Sequence, residues 1–187
     1  GYYYRPRVDF ETLEKYHEGL ICLSACLAGE IPRYIVRGFY EEAKKVAIKY
    51  CDCFGKDNFF LELQDHGISD QKLVNQQLLR MSEELGIGLV CTNDCHYTYE
   101  TDVEAHDVLL CIQTGKKVMD EDRMRYEGGQ FFVKSEAQMR ALFGYATQAV
   151  DNTQKIAERC NVEIEFGNYK IPKYEVPEGY ASAWEFL

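Results

Sequence analysis

No run of eighteen apolar residues occurs in the 187-residue sequence, and no charged-then-apolar leader opens it. Neither a membrane-spanning helix nor a signal peptide is therefore expected. Basic residues are scarce: 21 Lys and Arg stand against 31 Asp and Glu, a formal net charge of -10. Phosphate backbones are held by Lys and Arg, so so acidic a chain is a poor primary surface for nucleic acid. The eight cysteines include no pair of C-x-x-C knuckles, which excludes a zinc finger. They sit mostly inside apolar stretches rather than in a short, loop-rich chain. That argues against a disulfide framework and for small buried thiols in a reducing, cytoplasmic setting. A Gly-rich phosphate loop, a G-x-S-x-G elbow and a paired-carboxylate centre for two metals are all missing.

What is present is a chain that can bury a core, at 46% hydrophobic and 28% charged residues. A short amphipathic helix is expected over Glu11 to Glu18, then an apolar strand from Leu20 to Ser24. Two helical stretches follow, the longer from Tyr40 to Cys53 with Ala43, Val46, Ala47 and Tyr50 on one face. The unit then recurs: a strand over Phe59 to Leu63, and a helix from Asp70 to Leu85 with Leu73, Leu78 and Met81 turned inward. A third strand over Leu89 to Thr92 precedes a helix from about Asp102 to Ile112. Such alternation predicts an α/β fold with parallel strands and crossover helices, in about three βα units. Beyond residue 116 a small β-hairpin is expected, Arg123 to Tyr126 against Phe131 to Lys134. Ser135 should cap a helix through Phe143, and Gln148 to Cys160 should form another. The tail from Asn161, with Pro172 and Pro177, reads as an extended exit.

Candidate chemistry gathers at the strand ends. In Thr92-Asn93-Asp94-Cys95-His96, Asp94 and His96 project to one face if the chain stays extended. A carboxylate beside an imidazole suits Zn²⁺, Mn²⁺ or Fe²⁺, and a thiolate from Cys26, at the equivalent place after the first strand, favours zinc. Glu62, at the end of the second strand, is placed to orient a metal-bound histidine. His66, just before Gly67, reads as a loop residue. His17 lies on a polar helix face, and His106 reads as a helix-packing residue.

Five stretches carry a family resemblance: GLICLSACLAGEI at 19–31, FLELQDHG at 60–67, NDCHY at 93–97, AHDVLLCIQTG at 105–115 and FFVKS at 131–135. Together they resemble the N-terminal polymerase-and-histidinol-phosphatase (PHP) domain of the bacterial replicative DNA polymerase III alpha subunit family. The resemblance implies a distorted βα barrel with metals at its C-terminal rim. Its ligands come from a His-x-His strand, further acidic and His residues, a thiol or His, and Asp-x-His. Onto this chain it carries Cys26, Asp94 and His96 as metal ligands. It implies that the His-x-His strand precedes residue 1, so that 1–165 corresponds to the C-terminal part of the PHP domain. Residues 166–187 would then be a linker towards the palm and thumb.

The same resemblance implies Zn²⁺ or Mn²⁺ at the PHP site, with a 3′-5′ exonuclease role in those relatives that keep the ligands. Mg²⁺ would serve polymerisation elsewhere in the parent, and no polymerisation residue is assigned here. Expected partners are a proofreading exonuclease subunit, other replicase subunits and, through the parent chain, primer-template DNA. The competing readings are a non-catalytic platform for the proofreading subunit and a stand-alone PHP phosphoesterase. Half a barrel leaves two strand edges unpaired, which favours self-association unless helices or the hairpin cover them.

Overall fold

A computed structural model of the chain describes residues 7–169 and 175–187. Most of the aromatic and basic opening, and Pro172 in the tail, lie outside the described residues. The first helix, α1 (Phe10–Tyr16), starts where Asp9 accepts the Thr12 amide at 2.9 Å and the Thr12 hydroxyl at 2.7 Å. A two-residue strand, β1 (Cys22–Leu23), leads to α2 (Glu30–Val36) and α3 (Tyr40–Phe54). Then come β2 (Phe59–Leu63), α4 (Ser69–Leu85) and β3 (Gly88–Cys91). The three strands form one parallel sheet in the order β1-β2-β3, as the βα alternation predicts.

Alternation along β2 decides which side of the sheet is sealed. Phe59, Leu61 and Leu63 are wholly buried, while Phe60 and Glu62 on the opposite face are half-buried. The sealed face packs against α2, α3 and α4 through Ile31, Ile35, Ala43, Ala47, Leu78 and Met81. Small residues at 43 and 47 let α3 approach closely. On α4 the inward stripe is Val74, Leu78 and Met81, and Leu73 is 43% exposed, contrary to expectation. One position along a helix turns a side chain by about 100°, enough to move Leu73 off that stripe. On the open face the Phe60 ring lies over Gly88, its register partner. A Cβ at Gly88 would stand 2.9 Å from that ring, so the position has room only for glycine.

After β3 come α5 (Val103–Thr114), α6 (Glu136–Leu142), α7 (Thr147–Arg159) and a short α8 (Ala183–Phe186) in the tail. Ser135 caps α6 reciprocally with Gln138. The expected hairpin does not form. Residues Glu127–Gly129 make a 3₁₀ turn, with Gly128 and Gly129 at φ of 86° and 60°. Phe132 instead bridges Tyr97 in parallel, and the amides of His96 and Val133 reach Phe131 and Thr98 carbonyls at 2.8 and 3.2 Å. Two forces override the local turn signal. Arg123 is clamped to Asp107 on α5 by two 2.6 Å bonds, and Phe131 and Phe132 are buried.

The two sheet edges differ. Along β3 lies α7, whose Asn152 side chain donates to the Leu89 carbonyl at 2.8 Å and so occupies an outward-facing acceptor. At β1, Cys22 and Ser24 donate their amides to Asn58 and Phe60 of the neighbouring chain segment, which leaves the backbone of Leu23 on the far side. Among the described residues no strand pairs with that edge, where the Cys22 thiol donates to the Leu23 carbonyl at 3.7 Å.

The cysteines are all free. Burial pushes the Cys91 thiol up to about 12, and burial, aided by Cys53 and Glu62, pushes Cys22 up to about 11. Cys95 and Cys160 are exposed, unlike the buried thiols expected from the sequence. Alkylation followed by peptide mass spectrometry at pH 8 should therefore modify Cys95 and Cys160 long before Cys91. For the core, Leu61→Ala should lower stability by about 2–5 kcal/mol in urea unfolding. Leu109→Ala, at a residue 60% exposed, should stay within about 0.5 kcal/mol of the unmutated protein.

A candidate metal centre at the strand ends

The polar groups follow from the strand ends rather than from the helices. Near the end of β2 the half-buried face closes with Glu62, which accepts three hydrogen bonds, two of them from other segments of the chain. Its Oε2 takes the Ala25 amide at 3.1 Å, and its Oε1 takes the Thr92 hydroxyl at 2.5 Å and the Gln64 amide at 3.0 Å. The Glu62 amide in turn donates to Ser24 Oγ at 2.8 Å. One carboxylate thus joins the loop after β1 to the chain leaving β3. None of its partners is a histidine, so the expected contact with a metal-bound imidazole is replaced by a grip on the two loops that carry the candidate donors.

Both loops are bent where those donors stand. Ala25 has φ of 64° and Asp94 φ of 41°, the two non-glycine residues among the described ones in the left-handed region. Such backbone costs roughly 1–3 kcal/mol per residue and persists where surroundings over-determine it. Asp94 is therefore not extended, and the strand argument for its pairing with His96 fails. The two side chains meet all the same, with His96 Nε2 3.3 Å from Asp94 Oδ1. The turn at Asp94 and the pairing of residues 96–98 with 131–133 bring them together instead.

Cys26 lies after β1, half-buried, at a void of about 10 Å³ that Glu62, Gln64, Gln71 and Asn75 also line. Burial pushes the Tyr126 phenol up, and the charges of Asp94 and then Cys26 push it the same way. The Tyr126 ring is 4.4 Å from that of His96 and 5.2 Å from that of His106.

Two histidines acquire roles that sequence reasoning missed. His66, expected in a loop, is 2% exposed and stacks on Phe131 at 3.9 Å. Its Nδ1 receives the Gln71 amide at 2.7 Å, so its Nε2 carries the proton and donates to the Asn93 carbonyl at 2.8 Å. His66 thereby holds the residue before Asp94. The Asn93 side chain donates to the Gln130 and Phe132 carbonyls at 3.0 and 2.7 Å, tying the same point to the 130–132 segment. His106, expected only to pack its helix, stands 5.6 Å from the His96 ring and 5.2 Å from Tyr97. The D-H-G signal hides the first role, because a histidine before glycine at a strand end reads as surface. His17 stays near the surface, its ring on the Glu14 carbonyl and against Phe54.

Comparison with known proteins follows this geometry closely. Residues 1–66 match the PHP domain family. The chain is 45% identical over its whole length to the DNA polymerase III subunit alpha of Borreliella burgdorferi, covering 16% of that protein. It is 43% identical, again over its whole length, to that of Treponema pallidum, covering 16%. With the Thermus aquaticus subunit it shares 40% over 98% of the chain and 15% of the relative. The chain belongs to the DNA polymerase III alpha family. It spans about a sixth of the length of these polymerase III alpha relatives. The PHP match ends at His66, at the close of β2, yet β3 is hydrogen-bonded to β2 from Phe60 to Leu63. Asp94 and His96 therefore hang from the same sheet as the matched region.

His66 also makes the fold acid-sensitive. Burial lowers its pKa below the usual 6.5, and burial with the neighbouring His96 lowers that of His106. The unfolded chain then takes up protons first, so this stability is whole above pH 6.5 and is lost as pH falls below it. Urea midpoints measured from pH 8 to pH 5 should decline, and His66→Gln should flatten part of that decline. An unchanged slope in the variant would show that His66 is not neutral in the fold.

Proposed function

We propose that the chain forms the C-terminal part of a PHP-type βα barrel in a replicative DNA polymerase III alpha subunit. In this reading Cys26, Asp94 and His96 are donors of a rim metal with a 3′-5′ exonuclease role, and Glu62 is the residue that orients their loops. The observation that supports it is the meeting of Asp94 with His96 at 3.3 Å beyond β3, with Cys26 at the equivalent place after β1. The open edge of β1 supports a barrel continued by further strands. Residues up to about 165 form one unit in this reading, since Arg159 at the end of α7 still bonds the Asp57 carbonyl at 2.7 Å. Residues 166–187 then serve as the linker.

Thiolate, imidazole and carboxylate together suit zinc, with manganese the alternative. The donor chemistry fits and the number falls short. Among the described residues no three His, Cys, Asp or Glu side chains come together closely enough to hold an ion. The remaining donors must come from elsewhere in a longer polypeptide. When bound, such a metal supplies a polarised phosphoryl oxygen and an acidified water. This chain's own part is to hold the donors: Glu62 through Ala25 and Thr92, His66 through Asn93. Polymerisation, with its Mg²⁺, belongs in this proposal to the rest of the polypeptide, as does the grip on primer-template DNA, given the net charge of -10. No described helix is long and apolar enough to cross a membrane.

A second reading, docking of a proofreading exonuclease or another replicase subunit, is favoured by one feature. Val108, Leu109 and Ile112 on α5 are 45–72% exposed, an apolar stripe of the kind found at interfaces. Pull-down with that subunit, beside a nuclease assay with added Zn²⁺ or Mn²⁺, separates the two. A stand-alone phosphoesterase is disfavoured by a likeness to polymerase subunits that runs through the whole chain.

Zinc analysis after gel filtration tests the metal reading. The 187-residue chain should carry little zinc and the full-length polypeptide should retain it. In the latter, Cys26→Ser or Asp94→Ala should abolish retention, and Glu62→Gln should weaken it by about 10–100-fold. Chelator-resistant zinc in the 187-residue chain would show that the donor set is already complete, and a zinc-free full-length protein would overturn the proposal.

A further inference from the structure

Gln64 is 6% exposed, and its carboxamide is used on one side only. Its nitrogen donates to Glu62 Oε1 at 3.0 Å and to Thr92 Oγ1 at 3.1 Å, which occupies both protons and fixes which way the amide faces. The oxygen has no partner, the one buried side-chain polar atom among the described residues of which this is true. A buried amide oxygen without a donor is costly, because it has given up its hydrogen bonds to water. The same side chain lines the void of about 10 Å³ beside Cys26, Gln71 and Asn75.

The neighbouring groups are equally one-sided. Gln71 spends its oxygen on the His66 amide and one amide proton on His66 Nδ1, leaving its second proton unused. Asn75 commits both protons, to the Gln64 carbonyl and the Tyr145 hydroxyl. The cavity walls therefore offer the orphan Gln64 oxygen, a spare Gln71 proton and the Cys26 thiol, with the Glu62 carboxylate and Asn75 also on the lining. About 10–15 Å³ is the room that one water needs, and two to four polar partners are what it requires.

We infer that this void binds a single ordered water, which donates to Gln64 Oε1, accepts from Gln71 Nε2 and hydrogen-bonds Cys26 Sγ. That makes Gln64 a positioning residue for the thiol. The water joins two networks that otherwise run separately, Glu62 with Gln64 and Thr92 on one side, and His66 with Gln71 and Asn93 on the other. Cys26 is then held by the same lattice of bonds that places Asp94. The functional meaning of the water rests on Cys26 being a rim donor, whereas the water itself does not.

The test uses the full-length polypeptide, stripped of metal. A crystal structure at a resolution that shows ordered solvent should contain one water within hydrogen-bond distance of Gln64 Oε1 and Cys26 Sγ. Gln64→Met, of similar volume and without the acceptor, should empty the void and release the thiol. Iodoacetamide labelling of Cys26 at one fixed pH should then rise about tenfold, the equivalent of one hydrogen bond of about 1.4 kcal/mol. Labelling of Cys95 and Cys160 should not change, which excludes general loosening. An empty void in the unmutated protein overturns the inference, and so does an unchanged Cys26 rate in a folded Gln64→Met. Where that variant does not fold, the solvent density of the unmutated protein decides alone. Zinc retention is measured separately, so its failure would remove the metal reading and leave the water standing.

Discussion

A half-buried carboxylate needs donors on more than one side, and Glu62 finds them on its own segment and on two others. The site depends on this constraint. The Ala25 amide reaches Glu62 Oε2, Ala25 itself stands in the left-handed region, and Cys26 is the next residue. The Thr92 hydroxyl reaches Oε1 from the end of β3, two residues before Asp94. Strand order makes this possible, because β2 lies between β1 and β3 and a side chain at its end is near both neighbours. A carboxylate on an outer strand would have reached only one.

A second layer of order comes from aromatic surfaces. Phe131 meets His66 on one side and His96 and Tyr126 on others, so the segment that failed to form a hairpin became a wall of the site. Its burial is bought with non-local pairing. Residues 131–133 bond to 96–98 across more than thirty positions, and Lys134 reaches back to the Asn93 side chain at 3.2 Å while lying over the Phe132 ring. The loop between Gly115 and Phe131 is held by Arg123 on Asp107, by the Tyr126 ring against His96 and His106, and by the Gln130 carbonyl on Asn93.

What the sequence disclosed and what it hid divide along physical lines. The strands and the helices between them were legible because apolar periodicity is local, and the parallel pairing followed from the alternation. That Asp94 and His96 would stand side by side was legible from their spacing after a strand, although the extended geometry assumed for Asp94 was wrong. Hidden features all depend on distant partners. Nothing near residue 66 signals that its ring will lie on Phe131, and nothing near residue 130 signals pairing with residue 97. The inward stripe of α4 was misread at Leu73, where two adjacent apolar residues compete and only packing chooses. For Glu62 the partners now seen, Ala25, Gln64 and Thr92, could not be foreseen, since loop conformation is invisible in strand periodicity.

The asymmetry of the sheet has a consequence for how the molecule can grow. With Asn152 covering the β3 side, a newcomer strand has one place to attach, next to Leu23. Two molecules meeting through that place satisfy each other and leave no sticky margin behind, so the product is a finite pair. A sheet open on both flanks would instead propagate without limit into fibres. The helix that closes one flank thus acts as a chain terminator for β-aggregation, whatever eventually occupies the other.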